Sequence, residues 1–457
     1  MRYVSTRGRA PAIGFGDVLL AGPAPDGGLY MPERWPLVHG DFTNKPYAEV
    51  AAHIIGQFAG DAFTPDELRA DIDAAYANFP DKAVAPLREM APGFFLLELF
   101  HGPTLAFKDI ALQLLGRLFA RELKKRGRRA TIIVATSGDT GAAAIAAFRG
   151  RPNVDIVVIH PKGRVSDVQR RQMTTVSDAN VHNIALEGSF DDAQNLVKAL
   201  FADKAFAETA HLAAVNSINF ARIVAQCVYY FTATAQLGPA TFVVPTGNFG
   251  DVFAGEAASR MGLAIERLVI ATNENDILAR ALETGTYAAG RARPTLSPAM
   301  DIQVASNFER ALFEASGRDA AWIAEAMRAF ASSGRIDITP EALAALRSRY
   351  SAGSADDAET LAAMRRIHAE AGILIDPHTA VAVAVAEKAV KETSNPVVIL
   401  STAHPAKFPE AIARATGITP PLPPELTGLL ERKERYDIVP NELGALKTRI
   451  TERIRPA

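Results

Sequence analysis

From residue 130 onward, short β-branched runs alternate with helical patterns, and a chain written that way folds into mostly parallel sheet with helices on its faces. Residues 131–134, 154–159, 182–186, 240–244, 267–271 and 397–400 read as buried strands. Residues 141–148, 166–175, 191–201, 219–235 and 252–261 read as the helices between them. Before this region, residues 1–95 read as a turn-rich and helical unit, with Thr64-Pro65-Asp66-Glu67 opening a helix as N-cap, first-position proline and first-turn acids. Residues 275–395 read as largely helical, 351–357 as a surface loop, and the segment after Gly417 as a wrap-around tail ending in a short charged helix.

Two strand-to-helix turns share a pattern. Ser137-Gly138-Asp139-Thr140-Gly141 and Thr246-Gly247-Asn248-Phe249-Gly250 both read hydroxyl, glycine, Asp or Asn, any residue, glycine. The echo suggests two related α/β halves, each offering a helix N-terminus to a ligand. In the second turn, which continues to Asp251, glycines let N–H groups face inward and the helix adds its dipole, an arrangement suited to phosphate. An ordinary turn with Asp251 as cap would use the same residues. The first turn is short and suits a carboxylate, with capping again the plain alternative. Asn216, Ser217 and Arg222 stand at a third helix start and suit a second phosphate; an N-capped helix with Arg222 in an ion pair explains them equally. Neither a G-x-G-x-x-G dinucleotide spacing nor a Walker A motif occurs.

One lysine is placed for chemistry. His101-Gly102-Pro103-Thr104-Leu105-Ala106-Phe107-Lys108-Asp109 follows the apolar run 94–100 and precedes a helical pattern reaching residue 123. Lys108 therefore falls in a first helical turn, where unpaired N–H groups disfavour an ammonium by roughly 0.3–1 kcal/mol. Desolvation by Leu105, Ala106 and Phe107 pushes the same way. A neutral lysine can form a Schiff base with a carbonyl cofactor, whereas a surface lysine paired with Asp109 could not. Ser401 and Thr402, at a strand's carboxyl end, could meet the ring nitrogen of a heterocycle.

Charge and cysteine usage narrow the partners. A net charge of −2, with 49 basic and 51 acidic residues, leaves no footprint for nucleic acid or an anionic membrane. Cys227 is the single cysteine, which excludes an internal disulfide and a Cys-based zinc cluster, and no histidine pattern suits a metal. No apolar stretch is long enough to span a bilayer, and the arginine-bearing start lacks the apolar core of a signal peptide. These features predict a soluble cytoplasmic globule.

Taken together, the segments holding Lys108, Ser137–Gly141, Pro245–Asp251 and Ser401–Phe408 closely resemble the threonine synthase family, pyridoxal-phosphate enzymes of fold type II. Ala24–Tyr30, Ser297–Asp301, Ser306-Asn307-Phe308-Glu309-Arg310 and Asp376–Ala380 match it as well, in family order. The resemblance implies two open, mostly parallel α/β domains with an extra N-terminal helical domain. It divides the chain into a cap (1–95), a large cofactor-binding domain (96–130 with 223–412), a smaller substrate domain (131–222) and a tail (413–457). It implies that Lys108 carries the Schiff base and shuttles protons. Gly247, Asn248, Phe249, Gly250 and Asp251 would hold the cofactor phosphate, and Thr402 would face the pyridine nitrogen. Ser137, Gly138, Asp139, Thr140 and Gly141 would take the substrate carboxylate; Asn216, Ser217 and Arg222 would take its phosphate. The implied reaction turns O-phospho-L-homoserine and water into L-threonine and phosphate, with closure over the substrate, in a chain expected to be monomeric. Three alternatives remain at this point: a threonine or serine dehydratase, a relative acting on another phosphorylated amino acid, and a non-catalytic binder of a phosphorylated metabolite.

Overall fold

The β-branched runs form the strands of two separate sheets in a computed structural model that describes residues 1–390 and 395–455. The larger sheet has six strands, ordered Tyr350–Ser354, Ile265–Thr272, Ala240–Pro245, Val397–Ser401, Phe94–Glu98 and Leu87–Ala91. Every neighbouring pair is parallel except the last, a hairpin. The smaller sheet has five parallel strands, ordered Asp437–Pro440, Val181–Glu187, Val154–Pro161, Ala130–Ala135 and Leu212–Ala213. Val154–Pro161 is buried along its whole length, as a strand covered by helices on both faces must be.

Helix Lys108–Lys125 links the two sheets and packs between helices Asp139–Phe148 and Phe220–Leu237. Gly116 allows the close approach: a Cβ there would lie 2.5 Å from the carbonyl oxygen of Ala147. The N-terminal segment adds helices Tyr47–Ala59 and Pro65–Tyr76, the second opened by the capping box of Thr64 and Glu67. Tyr47–Ala59 packs on Phe220–Leu237, with the rings of Phe58 and Phe220 5.9 Å apart.

Several segments differ from the sequence reading, among them Leu87–Ala91, which lies in the unit read as turn-rich and helical yet pairs in the larger sheet. Residues 351–357 read as a loop because Ser, Ala, Gly and Asp dominate, yet Tyr350–Ser354 is an edge strand paired in parallel with Ile265–Thr272. Backbone hydrogen bonds supplied by the neighbour, not side-chain propensity, make that strand. The tail contributes a strand too: Asp437–Pro440 joins the smaller sheet beside Val181–Glu187, and helix Leu443–Arg453 follows. Within the largely helical stretch, Thr286–Ala288 and Arg335–Asp337 pair as a short antiparallel ladder. Among the described residues no helix is long and apolar enough to cross a membrane.

Candidate active site

In an open parallel sheet, ligands bind beyond the carboxyl ends of the strands. Strands Ala240–Pro245, Val397–Ser401 and Phe94–Glu98 lie side by side and parallel, so the segments leaving them emerge at one end. Those segments carry the glycine turn 246–251, Thr402 and Lys108 respectively. Residues far apart in sequence thus meet through strand order alone.

The loop before Lys108 is folded by its own side chains. Asp109 accepts hydrogen bonds from the Thr104 N–H and hydroxyl, both at 2.7 Å. Gly102 makes room for it, since a Cβ there would sit 2.4 Å from the Asp109 Cβ. Leu105 takes a left-handed backbone, φ 61°, which a leucine rarely adopts. Burial pushes the Asp109 carboxyl up to about 6, opposed by its bonds to Thr104. The outcome is a buried Lys108 in the first turn of its helix, with Nζ 4.6 Å from the centre of the Phe107 ring. Burial lowers the basicity of this amine, while Asp139 acts against the loss and Lys407 and Arg222 add to it.

Asp139 lies between two lysines. Its Oδ2 is 3.6 Å from Lys108 Nζ, and its Oδ1 is 2.8 Å from Nζ of the fully buried Lys407. Gln169 donates to the same Oδ1 at 2.8 Å. Burial alone would raise the Asp139 carboxyl, but Lys407 and Lys108 hold it well below the usual carboxylate range. Lys407 also donates to the Thr104 carbonyl at 2.7 Å, and Gln172 donates there at 3.0 Å. Two N–H groups of the turn 137–141 are already taken: those of Gly138 and Gly141 both donate to the Thr136 hydroxyl at 2.9 Å. Gly138 has φ 144°, and a Cβ on it would meet Gln169 at 2.6 Å.

The turn after Ala240–Pro245 is built differently. Phe249 is left-handed, φ 66°, and helix Gly250–Arg260 begins directly after it, so the first-turn N–H groups have no partner within the helix. The Asn248 carbonyl is drawn out of the turn by the Asn307 backbone N–H and side chain, both at 3.0 Å. A Cβ on Gly247 would lie 2.6 Å from the Ala299 carbonyl oxygen. The Asp251 carboxyl turns away from the cradle to Tyr229 and Tyr230, and burial raises it to about 7.

Arg222 is buried, and its Nε and Nη1 have no hydrogen-bond partner among the described residues. The ion pair open to it in sequence is therefore not formed; burial pushes its guanidinium down to about 10. Asn216 accepts from the Ile218 N–H at 3.2 Å, and the Ser217 hydroxyl lies 3.4 Å from that of Ser306. Thr402 is buried, its N–H donating to the Thr379 hydroxyl at 3.3 Å and its carbonyl accepting from Phe107 at 2.9 Å. Asp376 fixes this corner by accepting from Thr379 and pairing with His378 at 2.8 Å. The segments around Lys407, Asn307 and Asp376 are legible in the sequence, but the roles of those three residues are not. Gln169 carried no local signal at all.

A lysine buried in a first helical turn, facing glycine turns at the carboxyl ends of parallel strands, defines the pyridoxal-phosphate-dependent enzymes of open α/β build. The family described as pyridoxal-phosphate dependent enzyme matches residues 84–353. Flanking it, the threonine synthase N terminus matches residues 2–76 and the threonine synthase C-terminal family residues 379–450. The chain belongs to the threonine synthase family. A curated threonine synthase of Pseudomonas aeruginosa is 48% identical over 461 residues, covering 99% of this chain and 98% of its own. A crystal structure of PLP-bound threonine synthase from Brucella melitensis superposes with a TM-score of 0.97 at 49% identity, covering 100% of both chains. The yeast threonine synthase structure gives 0.93 at 36%, covering 99% of this chain and 98% of that one.

The residues present suit that cofactor. The unpartnered first-turn N–H groups and the cramped Gly247 match a phosphate, and the Lys108 amine, its basicity lowered by burial, matches an aldehyde.

Proposed function

We propose that the N–H groups of Gly247, Asn248, Phe249, Gly250 and Asp251 hold the phosphate of pyridoxal phosphate, that Lys108 attaches the cofactor, and that Thr402 faces its ring nitrogen. The reaction is the conversion of O-phospho-L-homoserine and water to L-threonine and phosphate. The turn of Ser137, Gly138, Asp139, Thr140 and Gly141 forms the substrate-carboxylate side through its hydroxyls and the N–H groups that Thr136 does not take, Asp139 itself facing Lys108 and Lys407, and Asn216, Ser217 and Arg222 form the substrate-phosphate side. When bound, the cofactor supplies an electron sink for the charge left by departing carbon-bound protons.

The chain's own groups do the rest. Released by the incoming substrate amine, Lys108 Nζ takes the α-proton, and burial favours the neutral amine needed for that step. Asp139, kept anionic by Lys407 and Lys108, then faces the positive charge that Nζ acquires. Arg222, with no carboxylate partner among the described residues, offers charge to the phosphate as it leaves the γ-carbon. The Thr402 hydroxyl, unlike a carboxylate, would leave the ring nitrogen of a bound cofactor largely unprotonated. Closure over the substrate and a monomeric cytoplasmic state belong to the same proposal, as does the domain division given by the resemblance, with Leu87–Ala91 and Phe94–Glu98 assigned to the large domain and Asp437–Pro440 to the smaller one; every residue named comes from one chain.

The observation that carries the reading is Lys108 itself, buried, reduced in basicity and set against Asp139 at the end of the large sheet. Purified protein given O-phospho-L-homoserine should release phosphate and threonine in equal amounts. Ammonia and a keto acid from serine or threonine would indicate a dehydratase. Phosphate release from a different phosphorylated amino acid only would move the substrate assignment.

A further inference from the structure

Asn307 and Arg310 belong to a segment whose role the reaction leaves open, and both are completely buried. Asn307 precedes helix Phe308–Ala315 without capping it by its side chain. Its Nδ2 instead donates to two carbonyls from different loops, that of Ser217 at 3.1 Å and that of Asn248 at 3.0 Å. Its Oδ1 accepts from Arg310 Nη1. Arg310 Nη2 donates to the Ile218 carbonyl at 2.7 Å and the Tyr30 carbonyl at 3.2 Å. The neighbouring Glu309 does not pair with Arg310; it turns to Arg7 at 2.9 Å and Thr6 at 2.6 Å.

We propose that Asn307 and Arg310 are positioning residues that bind the cofactor-phosphate turn and the substrate-phosphate loop into one unit. In a trans peptide the N–H points opposite to the carbonyl, so tying the Asn248 carbonyl to Asn307 aims the Phe249 N–H into the cradle. The left-handed Phe249 continues the curl, and successive N–H groups then converge as an anion-binding nest. Arg310 settles which way the Asn307 amide faces. A guanidinium can only donate and the two loop carbonyls can only accept, so Oδ1 must face Arg310 and Nδ2 must face the loops. A flipped amide would set oxygen against oxygen on one side and N–H against N–H on the other.

This inference rests on the phosphate assignments proposed above, and its test separates the two. Apoprotein is titrated with pyridoxal phosphate and with pyridoxal, following protein fluorescence, for wild type, Asn307→Ala and Arg310→Lys. Turnover of O-phospho-L-homoserine is measured in parallel. Wild type should prefer the phosphorylated form strongly. Asn307→Ala should lose tenfold or more of that preference, with pyridoxal itself bound within about threefold of wild type, and KM should rise more than kcat falls. Arg310→Lys should show a smaller loss in the same direction. Asn307→Ser, which keeps a small polar group at the helix start, replaces the alanine variant if that one does not fold. An undiminished preference in the folded Asn307 variant overturns the inference while leaving the activity reading intact. No preference for the phosphorylated form in wild type overturns the phosphate assignment and the inference together.

Discussion

The turns 137–141 and 246–251 look alike in sequence, and each places an aspartate in the first turn of a helix, yet the structure uses them in opposite ways. In the first, the Thr136 hydroxyl occupies two backbone N–H groups and Asp139 points at two lysines that keep it charged. In the second, the carbonyl is pulled outward by Asn307, and Asp251 is folded back against two tyrosines, its carboxyl raised to about 7 by burial. One turn presents a carboxylate; the other hides one and leaves its N–H groups for an anion. A charged Asp251 beside a bound phosphate would oppose it, and burial removes that conflict. The lesson is that a glycine turn becomes a phosphate site only when something outside it fixes its carbonyls and its acid.

Breaking the first turn should have the largest effect. Asp139→Ala leaves two buried lysines without their shared counter-charge, which should reduce unfolding free energy by about 3–5 kcal/mol, read from denaturant titration. Because the folded Asp139 carboxyl lies below its unfolded value, its contribution is present above pH about 4 and is lost only under stronger acid. Asp251 has the opposite sign. Its folded form keeps a proton that the unfolded chain releases between pH about 4 and 7, so stability falls as pH rises through that window. Asp251→Asn should remove that slope, at most about 1.4 kcal/mol per pH unit, measured by denaturation of apoprotein across pH 4–8. Smaller still are the glycine exchanges. Gly141→Ala drives a Cβ to 2.5 Å from Thr136 and 2.6 Å from Met173, and should cost about 1–3 kcal/mol of stability. Gly247→Ala meets the Ala299 carbonyl instead, and should show chiefly as a roughly tenfold weaker cofactor affinity, about 1.4 kcal/mol.

How far the sequence can be read follows from where each signal resides. Periodicity located the strands and helices around the site because buried parallel strands must be apolar runs, and Ala130–Ala135 and Val154–Pro161 are such runs. It missed Tyr350–Ser354, whose pairing comes from its neighbour's backbone. The segments around Lys108, Thr402 and the two turns were legible because glycine, hydroxyl and lysine stand in characteristic order beside strand ends. Lys407 was not, since a lysine three residues after His404 reads as a surface charge until the fold buries it against Asp139. Asn307 and Gln169 act through backbone carbonyls and a carboxylate supplied by distant loops, and no local pattern records such partners.

The central claim is that one amine, Lys108 Nζ, bonds to the cofactor. Borohydride reduction of the holoenzyme followed by peptide mass spectrometry addresses it directly. A pyridoxyl-phosphate adduct on the peptide containing Lys108, absent in Lys108→Ala, is the predicted result; an adduct on Lys407 or another lysine, with Lys108 unmodified, would contradict the account.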